Sequence, residues 1–210
     1  MTQLLAPTQL DLAAQMLREH CLVAFPTDTV YGLGTLAFDG PAVLKLYVAK
    51  ERPPEKAIPI LIADLADLDQ VALNVPPSAY RLMEVFWPGA LTIVVPKQPH
   101  IPAEVSTTST VAVRMPDLDL ARELIRLTGP LAATSANRSA GANPCTAQEV
   151  LDHLAGRIDA IVDGGQTPGG VPSTVVDCTL AAPIILREGA WAAGVREFLA
   201  RFVIQSHSTS

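Results

Sequence analysis

A chain of 210 residues that is 49% hydrophobic and 17% charged has enough apolar material for the core of one domain. Its formal net charge of −6 argues against a protein whose main affinity comes from binding nucleic acid over its whole surface, and no run of about eighteen apolar residues and no basic segment leading into an apolar one points to a membrane or secretory class. Cys21, Cys145 and Cys178 are odd in number and widely spaced, and His20, His100, His153 and His207 are scattered, so neither a disulfide framework nor a zinc site is indicated and a cytoplasmic setting is expected.

In chain order, a helix-period segment at 8–20 leads to an apolar strand at 22–25 and then to the hydroxyl-rich loop PTDTVYGLG at 26–34. Asp39-Gly-Pro41 starts a second helix at 41–50, with Pro41 in a first-turn position where its missing N–H costs nothing. The cation-rich stretch KERPPEK at 50–56 follows, then a strand at 58–63, a helix at 77–86 and strands at 91–95 and 111–115. Asp117 reads as the start of a helix at 117–128, followed by a strand at 131–133 and the loop ATSANRSAGANP at 133–144. Thr146-Ala-Gln-Glu149 is a capping-box signature opening a helix at 146–155. Strands at 160–162, 174–178 and 184–186 and a helix at 192–202 complete the pattern. The expectation is a single α/β domain over 1–204 with a large sheet, and a polar tail at 205–210.

Five loops concentrate hydroxyls, glycines and cations at strand ends, where α/β sheets place ligands. Gly32, Gly34 and Ala37 match a dinucleotide fingerprint in spacing, but the six residues that separate Phe25 from the first glycine and the restart at Asp39 are wrong for it. Thr27 and Thr29 can hydrogen-bond a small polar ligand; equally, the turn can be an ordinary one stabilised by Asp28. Lys50, Arg52 and Lys56 can converge on one anion or can be solvated charges at a helix C-terminus. Arg114 and Arg187 end apolar strands, which suits either a phosphate or carboxylate partner or a structural ion pair. Thr134-Ser-Ala-Asn137 can aim N–H groups, the Ser135 hydroxyl and the Asn137 amide at phosphate oxygens, and Gly169-Gly170 with Ser173 can bring backbone close to a ligand; both also suit a cap or a turn. Asp163 and Asp177 can assist Mg2+ or be turn residues, and no metal ligand is assigned. There is no P-loop, no nucleophile elbow and no HExxH.

Read in order, Lys50-x-Arg52 with Ser135-x-Asn137, together with PTDTVYGLG, AVRMP, PSTVVD and LREG, resembles the YrdC family of threonylcarbamoyl-AMP synthases from about residue 10 to residue 189. The resemblance implies a twisted mixed sheet with flanking helices and a concave, locally positive face. It implies Lys50 and Arg52 as catalytic groups, and Thr29, Arg114 and Ser173 at threonine. It further implies Arg52, Lys56, Thr110, the Ala133 backbone, Ser135, Asn137, Asn143 and Arg187 at ATP. Two departures stand out: Ala63 and Asp64 occupy the place where longer relatives carry a histidine, and Asn143-Pro144-Cys145-Thr146 replaces a common S-P-T pattern.

The implied activity is synthesis of L-threonylcarbamoyladenylate from L-threonine, bicarbonate and ATP, with Mg2+ accompanying ATP and no organic cofactor. Its implied destination is tRNA modification through tRNA or a downstream threonylcarbamoyltransferase, with no membrane partner. A noncatalytic RNA-binding module using the same basic face is the alternative. A carbamoyl-transfer module resembling those of hydrogenase maturation is a third reading, and the zinc-finger and acylphosphatase-like segments that accompany such modules are missing.

Overall fold

A computed structural model describes the backbone of residues 1–207 and the side chains of residues 1–201. The chain runs β1 (Gln3–Leu5), α1 (Leu10–Arg18), β2 (Val23–Phe25), β3 (Gly32–Leu36), α2 (Gly40–Lys50), β4 (Ile60–Leu61), α3 (Leu68–Val71), α4 (Pro77–Phe86), β5 (Leu91–Pro96), β6 (Thr110–Arg114), α5 (Asp119–Thr128), β7 (Leu131–Ser135), α6 (Ala147–Leu154), β8 (Ala160–Val162), β9 (Thr174–Asp177), β10 (Ile184–Arg187) and α7 (Ala192–His207). The ten strands form one mixed sheet in the order β1-β8-β2-β3-β7-β4-β6-β5-β9-β10. This is the α/β single domain with a large mixed sheet that the sequence predicts. Helix α7 runs through His207 into the stretch read as a polar tail, of which 208–210 lie outside the described residues.

Side-chain alternation along the strands divides the interior into two cores. On one face, Ala24, Leu33, Ile60, Ile93, Val113, Ala132 and Ile161 pack with Val43 and Leu46 of α2, Leu82 of α4 and Val150 of α6. On the other, Val23, Phe25, Leu61, Leu131, Ala133 and Val162 pack with Leu17 of α1 and Leu124 and Ile125 of α5. Beyond Leu61 and Ala133, that second face continues over Ala112 and Arg114 of β6, Thr92 of β5 and Val175 of β9, which line an open cavity instead of a helix.

Of the three helix starts read from capping residues in the sequence, two follow their local chemistry. Asp39 caps α2 through an Oδ1 that accepts from Ala42 N at 3.0 Å, with proline in the first turn. Thr146 and Glu149 form the predicted capping box at α6. Asp117 does not cap α5: the N-cap is Leu118, which makes no side-chain hydrogen bond. Two strands exceed the sequence expectation, β1 and the glycine-bearing β3. Since β3 occupies the segment with the Gly32 and Gly34 spacing and pairs antiparallel with both β2 and β7, no dinucleotide loop exists there.

Candidate active site

The cavity of about 340 Å3 lies on the open sheet face and is walled by Arg52, Arg114 and Arg187, the hydroxyl residues Thr27, Thr29, Thr92, Ser135 and Ser173, and the loop residue Asn143. Arg52 is delivered by the end of a helix, and Arg114 and Arg187 by the ends of two strands. Helix α2 ends at Lys50, and Glu51 takes a left-handed conformation with φ of 52°. That reversal, held by ion pairs from Arg138 and Arg157 to the Glu51 carboxylate, sends Lys50 and Arg52 in different directions. Lys50 is 1% exposed and donates to the carbonyls of Ser135 and Asn137. Arg52 turns to the cavity, its Nε and Nη2 donating to the carbonyls of Lys56 and Ala57 at 3.0 and 2.8 Å.

Arg114, the last residue of β6, is 6% exposed. Its Nε donates to Gly89 O at 2.9 Å, Nη1 to Thr29 Oγ1 at 2.9 Å and Nη2 to Asp28 Oδ1 at 2.5 Å. Arg187, at the end of β10, donates from Nη2 to the carbonyl and hydroxyl of Ser173 at 2.8 and 3.2 Å, and Ser173 Oγ lies 2.7 Å from Thr92 Oγ1.

The PTDT turn is stabilised by Thr27, not by Asp28. Thr27 Oγ1 donates to Val30 O at 2.7 Å and accepts from the backbone N–H groups of Thr29 and Val30 at 3.2 and 3.3 Å. This frees the Asp28 carboxylate to face Arg114. A strap at 163–172 crosses the turn: Gly170 N donates to Thr29 O at 2.8 Å, and Tyr31, fully buried, donates its hydroxyl to Gly165 O at 2.7 Å and accepts from Gly164 N at 3.2 Å. Burial, with Asp163 nearby, pushes the Tyr31 phenol up to about 12, so it remains a donor.

Burial pulls all three cavity guanidinium groups below their ordinary range. For Arg114 the nearby Asp28 opposes that pull, whereas Arg187 adds to it at both Arg52 and Arg114. Lys50 is lowered to about 7, chiefly by burial and then by Arg52.

Nine sequence-predicted residues thus behave as follows at the wall: Arg52, Arg114, Arg187, Thr27, Thr29, Ala133, Ser135, Asn143 and Ser173 meet in one cavity. Four do not line it. Lys50 is buried behind the 135–137 turn, and Asn137 donates from Nδ2 to the carbonyls of Arg138 and Gly141 at 2.9 and 2.7 Å. Lys56 is exposed, and Thr110 shares the cavity-facing side of β6 but bonds Thr108 at 3.0 Å. The three cations of KERPPEK therefore do not converge on one point. Asp163 and Asp177 accept from Gly165 N and Thr179 N as turn residues. Asp64 pairs with Arg122 and Arg126, each at 2.8 Å, tying the end of β4 to α5, and neither it nor Ala63 lines the cavity. Thr92, which no sequence motif marks, also lines the cavity.

The cavity wall contains no carboxylate and no cysteine or histidine, and no cluster of three metal-ligating side chains occurs among the described residues. The donor set suits anions and hydroxyl-bearing ligands, and it does not form a cage for a hard divalent cation.

A family model, Sua5_yciO_yrdC, described as telomere recombination, matches residues 15–189. A threonylcarbamoyl-AMP synthase of Bacillus subtilis is 47% identical over 86% of this chain and 53% of its own length. One from Pseudomonas aeruginosa is 35% identical over 79% of this chain and 90% of its own length. The crystal structure of Pyrococcus abyssi Sua5 complexed with L-threonine superposes with a TM-score of 0.86 at 42% identity, covering 90% of this chain and 57% of that one. The chain spans about half the length of the Bacillus and Pyrococcus relatives. With the family model spanning most of the sequence and the sheet superposing on a solved member, the chain belongs to the Sua5/YciO/YrdC family.

Proposed function

We propose that this chain makes L-threonylcarbamoyladenylate from L-threonine, bicarbonate and ATP, releasing pyrophosphate. The observation that carries the reading is the convergence of three guanidinium groups and a set of buried hydroxyls on one cavity whose wall holds no thiol or carboxylate nucleophile and no histidine, lysine or carboxylate to activate a hydroxyl. Such a wall fits a reaction whose nucleophiles all come from substrates. The threonine amine attacks the carbon of bicarbonate-derived CO2 and loses a proton to give a carbamate. A carbamate oxygen then attacks the α-phosphorus of ATP, the bond to the β-phosphate oxygen breaks, and pyrophosphate leaves with the electron pair. The naming of relatives as threonylcarbamoyl-AMP synthases supports the same reading.

In this account Arg114 and Thr29 receive the amino-acid carboxylate, while Arg52 and Arg187 receive phosphate oxygens. Thr92, Ser173 and the apolar wall at Leu61 and Val175 surround the amino-acid side chain. Catalysis then consists of alignment and of charge stabilisation at the phosphate by fixed donors. Magnesium enters with the nucleotide as part of the substrate, and no step is assigned to it. Lys50 acts behind the wall: its ammonium or amine ties Ser135 O to Asn137 O and so fixes the turn that carries the Ser135 hydroxyl. The adenylate is destined for threonylcarbamoyladenosine in tRNA through a downstream threonylcarbamoyltransferase.

Pyrophosphate release by the purified protein with ATP, Mg2+ and bicarbonate tests the reading. Release that depends on threonine is expected; release indifferent to threonine contradicts it.

A further inference from the structure

The three cavity guanidinium groups differ in how their charge is balanced. Arg114 is paired with Asp28, both nearly buried, with side chains 8% and 12% exposed. Arg52 spends its bonds on the carbonyls of Lys56 and Ala57, and Arg187 on Ser173. Among the described residues, neither has a carboxylate within ion-pair distance. The wall therefore has one neutral cation–anion couple at the PTDT turn and two uncompensated positive charges elsewhere.

Charge-pair energy scales with the product of the charges, so an unpaired guanidinium draws a polyphosphate several times more strongly than a single carboxylate. Left unpaired, Arg114 would be a third phosphate receptor. Pairing removes that bias without removing its hydrogen bonds. A guanidinium has five N–H donors. Gly89 O, Thr29 Oγ1 and Asp28 Oδ1 take three, which leaves one on each terminal nitrogen for the two oxygens of a carboxylate.

We propose that Asp28 is a positioning residue that sorts the two anions of the reaction: by neutralising Arg114 it reserves that subsite for a monoanionic amino-acid carboxylate and confines the polyphosphate to Arg52 and Arg187. The inference rests on the synthase reading above. Asp28 does not line the cavity, so it acts through Arg114 and touches neither substrate.

The test is threonine binding by calorimetry at rising concentrations of inorganic tripolyphosphate. In the wild-type protein the threonine Kd stays within about twofold across the series, since the two anions hold separate subsites. Asp28→Asn keeps an oxygen acceptor for Nη2 and removes the charge. In this variant tripolyphosphate competes, and the apparent threonine Kd rises at least about tenfold. A purely structural role for Asp28 weakens threonine binding without creating competition. Asp28→Ser, with a smaller acceptor, is read in the same way if Asp28→Asn does not fold. Threonine affinity that is independent of tripolyphosphate in a folded variant overturns the sorting role, as does competition already present in the wild type. A wild-type protein that binds no threonine at all contradicts the synthase reading instead.

Discussion

Single residues at this site divide into those that face the cavity and those that hold them. Arg52 faces it, so Arg52→Ala is expected to lower kcat for threonine-dependent pyrophosphate release about 10- to 100-fold, the loss of one charge-assisted contact strengthened at the transition state. Steady-state kinetics showing an unchanged kcat in folded protein would remove Arg52 from the chemistry. Lys50 holds, and its signature is in stability. Its folded pKa of about 7 lies below the ordinary lysine value of 10.5, so between those values the unfolded chain binds more protons than the folded one. The contribution of Lys50 to stability is therefore full above 10.5 and is lost as pH falls through 7. Lys50→Met should cost more stability at pH 9.5 than at pH 7, with the gap opening by at most about 1.4 kcal/mol per pH unit; denaturant melts at both pH values check the sign. The sequence shows the residue types of this site better than their directions. Lys50 and Arg52 look alike in KERPPEK, and only the left-handed Glu51 between them, a conformation unusual for glutamate, separates wall from support. Thr92 was legible in principle, since Leu91, Ile93 and Val95 fill one face of β5 and alternation puts a lone threonine on the other. Asp28 was not, because its partner Arg114 is 86 positions away.

Elements place these residues by contacts that propensity does not register. Strand β3 carries two glycines, which count against a strand, yet at Gly34 the sheet leaves little room for a side chain. A Cβ on Gly34 would stand 3.1 Å from the Phe25 ring and 3.3 Å from Ala132 O. The strap at 163–172 is similar. At Gly169 a Cβ would lie 2.8 Å from Thr29 O and 3.0 Å from Asp28 O, so Gly169→Ala must push the strap off the PTDT turn. Threonine binding should weaken about tenfold or more while ATP binding changes little, and calorimetry with each ligand separates the two; equal loss for both would place the strap's role elsewhere. Tyr31→Phe deletes the hydroxyl that serves Gly165 O and Gly164 N, and is expected to destabilise the protein by about 1–3 kcal/mol, read as a lower midpoint in urea. The helix at α6 began where its capping box said it would, because that signal is local. At α5, packing of Ala121, Leu124 and Ile125 and the Arg122 and Arg126 pairs with Asp64 fix the helix without a side-chain cap, so Asp117 misled.

At the scale of the whole molecule, one sheet face is filled by helices and the other is filled over half its width and left open over the rest. Hydrophobic periodicity carried the α/β class and eight of the ten strands, since short apolar runs buried on both faces are what a covered sheet demands. It did not carry the strand order, which sets β6, β5 and β9 beside one another and so brings Arg114, Thr92 and Ser173 from distant parts of the chain to one cavity. No helix among the described residues is long and apolar enough to cross a membrane. The net charge of −6 and the gathering of arginines inside a cavity, where Arg114 is 6% exposed, suit small anionic substrates better than an RNA backbone lying along an exposed face. The most direct measurement is the mass of the product formed from ATP, threonine and 13C-labelled bicarbonate. The account predicts an adenylate that contains threonine and is one mass unit heavier than with unlabelled bicarbonate. An adenylate of threonine without the labelled carbon, or no adenylate from folded protein, would contradict it.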